Sequence, residues 1–254
     1  MAYAQMRGLR VIRVGELAGP LGFSDRQERT TLSRLALGGM IVRVRRGLYL
    51  VPPRLPLGGL WSPDDISALN VLMEDKQGRY QICGPNAFNR YGLDEQTPAR
   101  LYAYNNRLSG ERTIGAVAMT LIKVADNRLG GTESFKTAQG QQAVYASRTR
   151  TLVDAVYDWS RFSSLPRGYE WIRGELIAQN VSAESLVRTA IRYGNQGTLR
   201  RIGVLLEREG VAEGLLLRIE KNVRPSTSLI PWIPVNARHG ETIRRWGVIL
   251  NERS

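Results

Sequence analysis

The chain has 254 residues, 43% of them hydrophobic, and a net charge of +13 carried by 32 arginines and only 4 lysines. That length suits two small domains or one large one. With one cysteine, Cys83, and one histidine, His239, the chain can form neither an internal disulfide nor a zinc site of cysteines and histidines.

The sparse cysteine predicts a cytoplasmic protein. Arg7, Arg10 and Arg13 interrupt any signal-peptide core, and no run approaches the roughly 20 apolar residues of a membrane span. The distribution of charge says more than its total, because a GC-rich genome by itself favours arginine. Residues 1–60 carry 10 basic and 3 acidic residues, 61–150 carry 11 and 9, and 151–254 carry 15 and 11. Over half of the excess therefore lies in the first quarter of the chain. A concentrated positive field predicts an anionic partner, nucleic acid foremost.

In chain order, Leu9, Val11 and Val14 suggest a short extended segment, and Glu16–Leu21 a short helix damaged at Gly19-Pro20. Ser24 with Gln27 three residues on makes a capping box, so a second helix starts there. Leu32, Leu35 and Ala36 give it an apolar stripe, and Gly38-Gly39 end it. "MIVRVRRGLYLVPP" then predicts a β-hairpin turning at Arg46-Gly47, since Gly accepts the positive φ of such turns. Alternation places Ile41, Arg43 and Arg45 on one face and Val42 and Val44 on the other. Short helix, turn, capped helix and basic hairpin is the order of a winged helix-turn-helix. Arg26, Arg29, Thr30 and Ser33 point away from the stripe. They supply the cationic donors and small hydroxyls with which a recognition helix enters the major groove. Arg43, Arg45 and Arg46 would hold phosphates or the minor groove. The plainer alternative is a solvated hairpin whose charges block edge-to-edge pairing.

"VPPRLPLGGLWSP", rich in Pro and Gly, predicts the end of a first domain. The expected organisation is a DNA-binding domain at 1–54, a linker at 55–63 and an independently folding α+β domain at 64–254. Ser62-Pro63-Asp64-Asp65 opens a helix. Adjacent carboxylates do not face each other on a helix, so Asp64 and Asp65 are assigned to capping and not to metal or acid–base chemistry. "YQICG", "RLYAYN", "AVAMTLIKV" and "QAVYAS" follow as strands and "NAFNRYGL" as a short helix ending at Gly92. Helices are expected over "RTRTLVDAVYD", "YEWIRGELIAQ", "AESLVRTAIRY" and "TLRRIGVLLEREG", the last burying Leu199, Ile202, Leu205 and Leu206. Two short strands are expected in the tail. No phosphate-cradling glycine loop and no nucleophile elbow is present. His239 falls in a polar stretch and Cys83 ends an apolar strand. No catalytic residue, metal or cofactor is assigned, and the expectation is a protein that is not an enzyme.

The ordered segments "RVRRGLYLVPP", "YQICGPNAFNRYGL", "SRTRTLVDAV", "YGNQGTLRRIGVLLE" and "RWGVILN" make nearly the whole chain resemble AbiEi-type proteins, the antitoxins of type IV toxin–antitoxin systems. The resemblance implies an N-terminal domain that binds operator double-stranded DNA and represses its own operon. It implies a C-terminal domain that counteracts a nucleotidyltransferase-like toxin. The helix "SDRQERTTLSRL" is not diagnostic, so no operator sequence carries over. On "TLRRIGVLLE", Arg200 and Arg201 are either solvated neighbours of a packed face or an antitoxin surface meeting RNA, nucleotide or toxin. Two other functions stay open: a stand-alone regulator whose second domain binds a ligand or protein, and a nuclease or nucleotidyltransferase with a DNA-targeting head.

Overall fold

A computed structural model of the protein describes residues 1–54, 58 and 60–252; residues 55–57 and 59 of the expected linker, and 253–254, lie outside the described residues. The fold is α+β. The chain forms two compact units, one of Met1–Gln81, Pro98–Leu129 and Ser134–Ala143, the other of Ile82–Thr97, Gly130–Glu133 and Val144–Ser254. The units do not part at residues 55–63, where composition predicts a boundary.

The first unit opens with α1 (Ala2–Met6), β1 (Val11–Arg13), α2 (Ala18–Leu21), α3 (Asp25–Leu37), β2 (Val42–Arg45) and β3 (Leu48–Leu50). Both arms of the capping box at the start of α3 are made. The Ser24 side chain accepts from Gln27 N–H, and the Gln27 side chain accepts from Ser24 N–H. The strands form an antiparallel sheet in the order β1-β3-β2. Ile12, Tyr49 and Val51 bury one face of this sheet with Leu32 and Leu17, and Ile41 joins them. Ile41 is thus core and does not share the exposed arginine face.

Next comes α4 (Asp65–Asp75), where Asp64 accepts from both Ser67 N–H (2.8 Å) and the Ser67 hydroxyl (2.6 Å), the capping role expected of it. Helix α4 packs against β2. The hairpin is therefore packed against residues from beyond the expected linker. Strands β4 (Tyr80–Ile82), β5 (Leu101–Asn105), β6 (Gly110–Ile114), β7 (Val117–Lys123), β8 (Thr132–Lys136) and β9 (Gln142–Ala146) form a sheet ordered β6-β7-β5-β4-β9-β8. The chain passes between the two units within β4, β8 and β9. Strands β6 and β8 are the edges of this sheet. Their largely exposed, polar sequences, "GERTI" and "TESFK", carry no buried alternation to mark them as strands.

The second unit holds α5 (Pro85–Arg90), α6 (Arg148–Tyr157), α7 (Trp159–Phe162), α8 (Arg167–Ile177), α9 (Ala183–Tyr193), α10 (Gln196–Arg208) and α11 (Glu213–Glu220). A small sheet of β10 (Ile230–Pro231), β11 (Glu241–Ile243) and β12 (Val248–Leu250) closes it, ordered β10-β12-β11. Helix α10 lies at its centre. Leu199, Ile202, Leu205 and Leu206 are buried as their spacing predicts, but so is every other residue from Thr198 to Leu206. The opposite side of the helix is covered by the C-terminal strands: Gly203 meets the Trp246 ring so closely that a Cβ there would collide with it.

This burial corrects the expectation for Arg200 and Arg201. They are only 6% and 7% exposed. Arg200 donates from Nε to Trp246 O (2.6 Å) and from Nη2 to Ser228 O (2.7 Å) and Gly247 O. Arg201 donates from Nε and Nη2 to Pro231 O at 3.3 and 3.0 Å. A helix wrapped on all sides must satisfy its polar groups internally. Here guanidinium groups take up carbonyls of the β10–β12 region. Both side chains are almost wholly covered, and burial lowers the pKa of both.

Arg200→Ala is therefore expected to destabilise the protein by about 2–4 kcal/mol, because it orphans buried carbonyls. Arg208→Ala, which removes an exposed ion pair with Glu252, is expected to cost under about 1 kcal/mol. Urea unfolding of the two variants checks this, and equal midpoints would contradict it.

Candidate nucleic-acid interface

Arg26, Arg29, Thr30 and Ser33 are all exposed on α3, as the stripe predicts. Helical spacing of three and four residues puts them on one face. The angle at which α3 is presented depends on a residue that the apolar pattern does not single out. Glu28 occupies a stripe position four residues before Leu32 and is 0% exposed. Its carboxylate accepts from Gly15 N–H (2.7 Å) and Leu17 N–H (2.8 Å). These donors lie in the turn that leads into α2, so one charged side chain ties the turn, α2 and α3 together. A carboxylate standing where the stripe calls for an aliphatic residue is the signal that could have revealed it.

The hairpin departs from simple alternation. Its register pairs Val42 with Leu50, Arg43 with Tyr49 and Arg45 with Leu48. Val44 is therefore an extra residue on β2, a bulge beside the two-residue turn at Arg46-Gly47, where Gly47 has φ of +79°. A one-residue slip moves the following side chains to the other face. Arg43 shares the face of Tyr49, which belongs to the core beneath α3. Arg45 goes to the reverse face and meets α4. Its Nε donates to Asp75 Oδ2 at 2.7 Å, and its Nη2 donates to Oδ1. The expectation that Arg43 and Arg45 face the same way is thus corrected by the bulge.

Arg29 from α3 and Arg43 and Arg46 from the hairpin meet in one open cleft of ≈ 420 Å³, walled by Val14, Gly47 and Tyr49. No carboxylate lines it among the described residues. None of the three guanidinium groups has a hydrogen-bonded or ion-paired partner among the described residues. Arg26, Thr30 and Ser33 lie on the exposed helix face outside the cleft lining. The arrangement offers three cationic forks to one concave space, a shape suited to a phosphate group.

The Arg45 guanidinium beside Asp75 holds its carboxyl below the usual carboxylate range. A depressed folded pKa adds stability that is fully present above the unfolded value, about 3.9, and is lost as pH falls through the folded one. The melting-temperature advantage of the wild type over Asp75→Asn should therefore be complete at pH 7. It should shrink below about pH 4. Melts across pH 2–8 check this; an advantage that stays constant down to the lowest pH at which the protein folds would exclude a contribution from this ion pair.

No protein-family model matches the chain, and no curated protein matches it. Among solved structures, the chain is similar to the crystal structure of the RV2827C protein from Mycobacterium tuberculosis. The sequences are 14% identical, the match covers 98% of this chain and 88% of that one, and the TM-score is 0.56. At that identity the likeness speaks for the fold alone.

Proposed function

We propose that the protein is a duplex-DNA-binding transcriptional regulator in which α2, α3 and the β2–β3 hairpin act as a winged helix-turn-helix. The observation that carries this reading is the cleft where Arg29, Arg43 and Arg46 converge with no carboxylate partner. Other arginines of the first unit, Arg45, Arg79 and Arg100, are paired with Asp75, Asp126 and Glu111. Unpaired cations gathered in one cleft await an external anion, and the exposed hydroxyls of Thr30 and Ser33 add the short donors and acceptors that base edges require. In this reading Arg26, Arg29, Thr30 and Ser33 face the major groove, and Arg43 and Arg46 hold the backbone. Arg45 braces the hairpin from behind.

The resemblance of the ordered segments to AbiEi-type proteins supports extending the proposal to a cytoplasmic, non-enzymatic autorepressor and antitoxin that opposes a nucleotidyltransferase-like toxin. Arg200 and Arg201 would serve that role through the architecture of α10 and not as a contact surface. Growth of cells expressing a nucleotidyltransferase gene found next to this one, with and without this protein, tests the extension.

The DNA reading is tested by titrating the full chain with the duplex upstream of its own gene and with random duplex. Binding should weaken steeply with salt, and Arg43→Ala or Arg46→Ala should lower the slope of log affinity against log salt by about 0.9 each on both DNAs. Arg29→Ala should cost about 1–3 kcal/mol on the cognate duplex and less on the random one. Arg45→Ala should have the smallest effect of the four. Wild-type affinity in all three cleft variants would end this proposal.

A further inference from the structure

The second unit carries its own cationic cleft, of ≈ 450 Å³, with Arg200, Glu220, Arg224, Ser226, Arg244 and Arg245 among its lining residues. Its arginines divide into three kinds. Arg245 is outweighed by carboxylates: it donates to Glu207 (3.0 Å), Glu213 (2.6 Å) and Glu220 (2.8 Å), and Glu220 is the one carboxylate in the lining among the described residues. Arg224 and Arg244 are exposed, and neither guanidinium has an ion pair or hydrogen bond among the described residues. Arg200 forms part of the wall although it is 94% buried, since its exposure is 6%. Carbonyls occupy its Nε and Nη2, while its Nη1 donates to nothing among the described residues. A buried cation held rigidly by three carbonyls, with one donor nitrogen left over at a cleft, is the kind of group that anchors an anion at little ordering cost.

We propose that this cleft binds the phosphate groups of a small phosphorylated ligand of the pyrophosphate or nucleoside-polyphosphate class. Guanidinium forks match phosphate oxygens in pairs; Arg224 and Arg244 supply two such forks, and Arg200 adds the single nitrogen that its carbonyls leave over. Ser226, also in the lining, is held by Ser228, whose N–H donates to the Ser226 hydroxyl at 3.2 Å. The volume falls in the range of small-molecule sites. The three arginines line a single cleft, which favours a compact polyphosphate over a nucleic-acid strand. This site is separate from the cleft of the first unit and does not depend on the DNA reading.

Isothermal titration with sodium pyrophosphate tests the proposal. It uses the full chain carrying Arg29→Ala, Arg43→Ala and Arg46→Ala, so that the first cleft does not contribute. The expected result is saturable binding with one site per chain. Adding Arg224→Ala and Arg244→Ala, both exposed positions, should weaken it at least about tenfold while leaving the melting temperature unchanged. No saturable binding, or equal binding with and without these two arginines, would overturn the site. A single-stranded oligonucleotide that displaces pyrophosphate at a lower phosphate concentration than ATP does would overturn the small-ligand assignment.

Discussion

A guanidinium group carries five N–H donors and a permanent charge, and every one of those donors needs water, a carbonyl, a carboxylate or a ligand. A chain with 32 arginines is shaped by how that demand is met. Inside the second unit, Arg150 and Asp154 are both wholly buried and paired at 2.9 Å, and Arg150 also donates to Gly130 O (2.9 Å) and lies over the Tyr193 ring. Arg200 and Arg201 meet the demand with backbone carbonyls, and Arg245 with three glutamates. In the first unit Arg45 is satisfied by Asp75. Set against these, the unpartnered arginines of the two clefts have only solvent or an incoming anion. Partner, not residue type, separates the arginines that the fold uses from those left to solvent or a ligand.

That distinction is invisible to periodicity, which explains what could and could not be read from the sequence. Caps and stripes were readable because they are local: the Ser24–Gln27 box, the Asp64 cap and the Leu199–Leu206 face need only neighbouring residues. The edge strands β6 and β8 were not, because an edge lacks the buried alternation that marks a strand. The burial of Arg200 and Arg201 was not either. An amphipathic pattern assumes that what lies off the apolar stripe meets water, and at α10 it meets β10, β12 and Trp246 instead. The candidate DNA-contact residues were found by type and order, yet their grouping was altered by a single bulge at Val44. No residue pattern in "MIVRVRRGLYL" announces that extra residue, and it moves Arg45 from the cleft to the back of the hairpin.

The Pro/Gly-rich stretch at 51–63 shows a related limit. Composition marks a place where the chain turns or loosens, but compactness is decided by what packs on what. Here α4, which follows that stretch, packs on β2 and supplies Asp75 to Arg45. Residues on both sides of that stretch therefore belong to one compact unit, and the hairpin gains a brace from outside its own 54 residues.

The cleft of the first unit also follows from its core. Tyr49 belongs to both: it is buried beneath α3 and it walls the space between Arg29, Arg43 and Arg46. Glu28, adjacent in sequence to Arg29, is locked to the Gly15 and Leu17 amides. The Cα of Arg29 is therefore held in place by a buried charge one residue away, and the Cα of Arg43 by its pairing with Tyr49. The long side chains are exposed, but their anchor points are set by the same contacts that hold the sheet to the helix. Two anchors held by the core lower the ordering cost of closing their side chains on one anion, a cost that arginines on an unpacked surface would meet in full. Packing beneath α3 and cation placement above it are in this sense one feature of the fold.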